Sequence, residues 1–275
     1  MRIGGGGLLT RRLLPAGLWL GLALILASCA EPISGLPGFG AGGSDAHIPP
    51  YARVPYQPFS RDAAIQIAYR EWRAFGQPLV LPHTEPPFDN ERAEGLWQRV
   101  GDYWWQGLPL GERDQGFTGM HDQNGRIFSP REDENFAWSA AFIDYVMRMA
   151  GAGRRFPYSP THSDYINAAR QSSRWVVIAY APESYAPQRG DLICYSRTPT
   201  PLRYADLPTG RFPGHCDLVV MARPGLLEVI GGNVDNSVSM KRIPVTTSGT
   251  LANSDGTIVD PDYHWFVVLR VLYDR

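Results

Sequence analysis

The sequence has no second long apolar run. Its one such stretch, Leu18 to Ala27, is shorter than the about 20 residues a membrane-spanning helix needs, so no transmembrane domain is expected. It has no excess of positive charge either, with 26 basic against 27 acidic residues, or 23 against 27 once residues 1–28 are set aside. That balance gives no reason to expect a nucleic acid or an anionic membrane surface as partner. There is no internal repeat and no heptad pattern. There is no zinc-type ligand pair and no calcium loop, even around His121-Asp122 and the acidic run Glu132-Asp133-Glu134, so no metal and no cofactor is expected. Lysine is almost missing: Lys241 stands alone against 25 arginines. With the high glycine and proline counts, that bias reads as genome composition rather than as a functional signal.

What is present begins with an address. Arg2, Arg11 and Arg12 precede the short apolar run, which closes on Leu26-Ala27-Ser28-Cys29. A charged leader, an apolar core and small residues at the cut make residues 1–28 a signal peptide. The site resembles a bacterial lipobox, which makes Cys29 the expected lipidated N-terminus. Ala30, rather than an aspartate, follows it and favours the outer membrane, facing the periplasm. Residues 29–59 are rich in proline and glycine and read as a tether. The remainder suits one domain: a helical extension with a loop over 60–134, then a core over 135–275.

In the extension, Ser60 caps a helix that Gly76 ends, with Ile65, Ala68, Tyr69, Trp72 and Phe75 on one stripe. A second helix is expected from Asn90 to about Gln106. Its Tyr103 and the neighbouring Trp105 either pack on the flank or stack on a glycan. Residues 107–134 read as a loop whose acidic end serves the next helix, expected over Asn135–Ala150. A short helix follows, about Ser163 to Ser172, with His162 at its start as a capping or exposed histidine or, less favoured, a substrate contact. From Asp191 onward the pattern is strands: DLICYS, HCDLVVMA, LLEVIGG, SVSMKRIP and WFVVLRVLY. Helices followed by an antiparallel sheet make the class α+β.

Ser139 lies at the start of the third helix, where the dipole and free N–H groups stabilise an anionic nucleophile. His215 opens a strand and, aimed at that helix end, has the geometry of a general base. Asn233, past the next strand, is the expected orienter of the imidazole, with Asp217 as an alternative that points parallel to His215 rather than at it. Cys194 and Cys216 form a disulfide if their strands pair with the two residues opposite; a one-residue slip leaves two buried thiols instead.

These residues carry a resemblance. Trp138-Ser139-Ala140-Ala141-Phe142, Pro187 to Asp191, Gly214-His215, Gly231 to Asn233 and Asn236 to Val238 follow the order of motifs in the CHAP and NlpC-type peptidoglycan amidases and endopeptidases. The chain also resembles a bacterial family catalogued as a domain of unknown function. The first resemblance implies a papain-like fold, with N-terminal helices against a small antiparallel sheet. It implies hydrolysis of an amide in peptidoglycan stem peptides, with Ser139, His215 and Asn233 as the catalytic set. Trp138, His162, Asp191 and Asp217 would line the substrate groove. The departure is Ser139, where that family has cysteine, and neither Cys194 nor Cys216 is placed to replace it. A serine hydroxyl is far less acidic than a thiol and needs a well-aligned base. The alternative is a catalytically inactive lipoprotein of the same fold that binds peptidoglycan or a partner.

Overall fold

Helix α1 (Arg61–Ala74) opens where Ser60 turns out of the helix and its hydroxyl accepts from the Ala63 N–H at 3.2 Å. The structure is a computed structural model that describes residues 57–80 and 90–274. The signal peptide, Cys29 and almost all of the tether lie outside the described residues. Ala64, Ile65 and Ala68 of α1 are fully buried, and Phe75 and Gly76 close the helix as expected.

Helix α2 (Leu96–Gly107) begins later than the apolar pattern predicts, because Asn90–Gly95 forms turns and Gly95 has φ 83°. Leu96, Val100, Tyr103 and Trp104 are its buried side. Tyr103 is therefore core, whereas Trp105 is 62 % exposed. At the end of α2 a Cβ on Gly107 would stand 2.6 Å from the Ala141 carbonyl oxygen, so only glycine lets α2 lie this close to helix α3 (Ser139–Met149). Residues 107–134 are not simply loop. They hold a short 3-10 helix at Arg113–Gly116 and enter a second at Pro130–Phe136, which postpones α3 to Ser139. The acidic run does not serve α3: the Ser129 N–H donates to Glu132 at 2.8 Å, and Asp133 pairs with Arg92 at 3.0 Å. Helix α4 (His162–Gln171) follows.

The sheet is six-stranded and antiparallel: β1 (Val177–Tyr180), β2 (Leu192–Ser196), β3 (Gly214–Arg223), β4 (Leu226–Val234), β5 (Ser237–Pro244) and β6 (Trp265–Val271), in the order β1-β6-β2-β3-β4-β5. Strand β1 has no counterpart in the sequence reading. It is four residues long, lies at an edge and pairs only with β6. Strands β4 and β5 are joined by Asp235-Asn236, both at positive φ (52° and 57°), the two-residue hairpin turn that matches strand twist.

Alternation gives the sheet two buried faces. Cys194, Cys216, Leu218, Val220 and Ile230 join the helices in one apolar cluster. Ile193, Val219, Val229, Ile243, Trp265 and Val268 form the other, under the 245–263 segment with Leu251 and Tyr263. The chain is thus α+β, with four α-helices and one antiparallel sheet among the described residues. Cys194 and Cys216 stand directly opposite on β2 and β3, with Cα atoms 4.1 Å apart, and are disulfide-bonded.

Candidate active site

Ser139 is the first residue of α3, and Trp138 before it offers no side-chain cap. The opening N–H groups of the helix therefore lack both an intrahelical acceptor and a capping oxygen. Trp138 is held from behind, its indole N–H donating to Glu91. Burial pushes the Glu91 carboxyl up to about 8, against the pull of that indole and with help from Asp133. Glu91 is thus a neutral acid at pH 7, tied by its N–H to the Asn236 carbonyl at 2.7 Å.

The partner of Ser139 is His162. Ser139 Oγ and His162 Nε2 are 2.7 Å apart, and His162 Nδ1 bonds the Tyr165 hydroxyl one turn along α4. Burial, then the neighbouring His215 and Arg197, hold the His162 pKa far below the usual imidazole range. The ring is neutral, with one nitrogen donating and one accepting. Nε2 accepts from Ser139 when Nδ1 carries the proton and donates to Tyr165. His162 is neither exposed nor a plain cap: it is 4 % exposed, as is Ser139.

His215 is engaged elsewhere. Its Nε2 lies 2.7 Å from Asp217 Oδ1 and its Nδ1 3.1 Å from Arg197 Nη2. Asp217 Oδ2 accepts from Lys241 Nζ at 2.7 Å. Burial lowers His215 to about 4, opposed by Asp217 and reinforced by Lys241. Burial works against the Asp217 carboxylate, yet Lys241 and then His215 keep its pKa well below the usual range. His215 is therefore neutral, donating from Nε2 to Asp217 and accepting at Nδ1 from Arg197, so both ring nitrogens are occupied. Gly231 leaves the space: a Cβ there would lie 1.7 Å from Asp217 Oδ1 and 2.9 Å from His215 Nε2.

The expected trio of Ser139, His215 and Asn233 is not joined. No hydrogen bond joins Ser139 to His215, or His215 to Asn233, among the described residues. Strand alternation turns His215 and Asp217 to the side of Val219, away from the cluster that contains α3. His162 touches both halves, its ring centroid 5.4 Å from that of His215. Asn233 sits near the end of β4 at φ 53°, ahead of the turn, and Asp217, not Asn233, is the hydrogen-bond partner of His215 Nε2. Side chains two apart on one strand are parallel, but an imidazole is long enough to lean onto its neighbour.

The groove expected along Trp138, His162, Asp191 and Asp217 is closed, since all four are at most 4 % exposed. Asp191 staples the fold instead. It accepts from the Val271 and Gln188 N–H groups at 2.9 and 2.8 Å and from the Tyr185 hydroxyl at 3.0 Å. Three members of the cluster escaped the sequence reading: Lys241, Arg197 and Tyr165. Lys241 had a signal, being the one lysine and lying on a strand whose alternate residues are apolar. Tyr165 had a weaker one, three residues from His162 on a helix. Arg197 follows β2 in an irregular segment and had none.

Chemically, the cluster offers a hydroxyl hydrogen-bonded to a neutral imidazole, beside a buried carboxylate matched by an ammonium group. Among the described residues no group of three or more His, Cys, Asp or Glu side chains is arranged to hold a metal ion, and no helix is long and apolar enough to cross a membrane. No curated protein and no solved structure matches the chain. Residues 91–271, which span α2, the whole site and the sheet to the end of β6, match the family described as "Uncharacterized protein conserved in bacteria (DUF2272)", and the chain belongs to that family.

Proposed function

We propose that this protein is a serine hydrolase of the bacterial envelope that cleaves an amide bond in peptidoglycan stem peptides, kin in fold and ancestry to the papain-like CHAP and NlpC-type enzymes. The observation that carries the reading is the 2.7 Å contact between Ser139 Oγ and His162 Nε2 at the opening of α3. Ser139 attacks the carbonyl carbon while His162 takes the hydroxyl proton at Nε2. The oxyanion meets the unpaired N–H groups and the positive end of α3. The Asp217 carboxylate favours the imidazolium formed on His162, working against burial and the positive charges of Arg197 and Lys241. His162 then returns the proton to the leaving amine, and water releases the acyl group from Ser139. His215, held between Asp217 and Arg197, positions this carboxylate rather than acting as the base. The proposal includes lipidation at Cys29 and an outer-membrane anchor, on the strength of the leader and the Leu-Ala-Ser-Cys site.

A second reading has its own support. Ser139 and His162 are nearly buried and His215 is wholly so, which suits an inactive peptidoglycan- or partner-binding lipoprotein. Release of stem peptides from purified sacculi separates the two. Under the hydrolase reading wild type is active, and Ser139→Ala or His162→Gln each lowers the rate on the order of 10³-fold or more. If wild type and Ser139→Cys are both inert while the chain still sediments with sacculi, the binding reading replaces the enzyme.

A further inference from the structure

A cavity of about 820 Å³ lies between the segment 109–114 and the segment 153–160, and none of Ser139, His162, Tyr165, His215 and Asp217 lines it. Its volume falls in the range of sites for small organic ligands, roughly 300–1,000 Å³, and is far more than a single ion fills. Its lining carries both charges. Glu112, Arg113 and Asp114 stand there in consecutive positions. Arg148 and Arg154 line it too, with the buried Asp144 one turn before Arg148 on α3. One edge is electrically closed, because Arg211 grips Asp164 through two hydrogen bonds of 3.0 and 2.7 Å.

Arg148 is already set in place. Its Nε and Nη2 donate to the Gly107 carbonyl at 3.2 and 3.0 Å, and its guanidinium carbon stands 3.9 Å from the centre of the Tyr158 ring. An arginine held flat in this way presents its remaining N–H edge without further ordering, the arrangement that favours a carboxylate. Tyr158 supplies an independent sign. Its hydroxyl is buried without a hydrogen-bond partner, as is Asp144 Oδ1 behind it, among the described residues. Burial pushes the Asp144 carboxyl pKa up, and its other oxygen accepts from the N–H of Ser159 in the cavity wall at 2.9 Å. Unsatisfied buried polar groups are rare in folded proteins and call for a partner. Phe156 and Trp175 add apolar wall on either side.

We propose that this cavity binds a short peptide with free ends, its carboxylate on Arg148 and Arg154 and its ammonium group on Glu112 and Asp114. Carboxylates and guanidinium groups lining one cavity select a ligand that carries both signs, and the volume selects a body of several residues over a lone amino acid. The proposal does not rest on the hydrolase reading, because none of these side chains belongs to the Ser139 cluster.

Calorimetric titration of the purified full chain with trialanine tests it. Saturable binding is expected, and capping either end, as N-acetyl-trialanine or trialanine amide, should weaken it about tenfold or more. Arg154→Gln, an exposed position, should weaken trialanine and N-acetyl-trialanine alike. Asp114→Asn should weaken trialanine and leave N-acetyl-trialanine unchanged. Ser139→Ala should bind as wild type does, which keeps the result separate from any failure of catalysis. The proposal is overturned by no saturation up to ~10 mM trialanine, by equal affinity for the amide, or by full displacement with inorganic phosphate, which would mark a plain anion site.

Discussion

Lys241 shows how much one side chain carries here. It is 2 % exposed and its Nζ meets Asp217 at 2.7 Å, while Asp217 and His215 are fully buried. Removing one partner of such a pair strands a charge in an apolar interior, which costs about 3–5 kcal/mol. Lys241→Met should therefore destabilise by that order in denaturant unfolding, and Lys241→Met/Asp217→Asn should recover part of the loss. Equal stability of the single and double variants would show that the pair is not coupled. Lys241→Arg should fare poorly too, since a planar fork does not fit where a compact ammonium is enclosed. His215 belongs to the same unit. If it positions rather than reacts, His215→Asn should lower the rate on sacculi less than His162→Gln does, with Asp217 still accepting from residue 215. A larger loss at His215 would return the base to that residue.

Two adjacent glycines in β4 set how the elements close over the site. A Cβ on Gly231 would run into Asp217, and one on Gly232 would lie 2.5 Å from Phe142 Cβ and 2.7 Å from the Trp138 ring. Gly231→Ala should thus disturb the His215–Asp217 pair, and Gly232→Ala should push β4 off α3; both should lower the melting temperature, and an unchanged value for either would contradict this packing. On the neighbouring strands, Cys194→Ser/Cys216→Ser should cost about 3 kcal/mol, the scale for a cross-link over a loop of this length, and thiol counting on the denatured, unreduced chain should find neither cysteine free. The elements were legible where pattern and punctuation agree. Ser60 and Gly76 frame α1, and alternation gives β2 to β6. Edge strand β1 was lost because four residues carry too little periodicity. The pattern starts α3 at Asn135, too early, since Phe136 belongs to the 3-10 turn before the helix. Within the site, Ser139 was found from its helix and His215 from its strand. Which histidine meets the serine depends on how α4 docks, and no local pattern encodes that.

For the molecule as a whole, two buried groups pull stability in opposite directions with pH. Glu91 is raised to about 8 from 4.5, so its contribution is complete below about 4.5 and is lost as pH climbs to about 8. His215 is lowered to about 4 from 6.5, so its contribution is present above about 6.5 and is lost as pH falls to about 4. Melting temperature should decline towards both ends, and Glu91→Gln should flatten the alkaline decline alone. A wild-type curve that rises between about 6.5 and about 8, where the His215 contribution is already complete, would contradict the assignment. The strand order has a further consequence, one of timing. Strand β6, residues 265–271, runs between β1 and β2, and Asp274 beyond it accepts from the Phe59 N–H at 2.7 Å while its own N–H reaches the Phe59 carbonyl at 2.9 Å. A ribosome or a translocon delivers residues in order, so β1 and β2 emerge with a vacancy between them that fills only when 265–271 arrive. Until then the sheet cannot close, and a message cut short before Trp265 leaves quality-control proteases an open sheet instead of a domain missing only its tail.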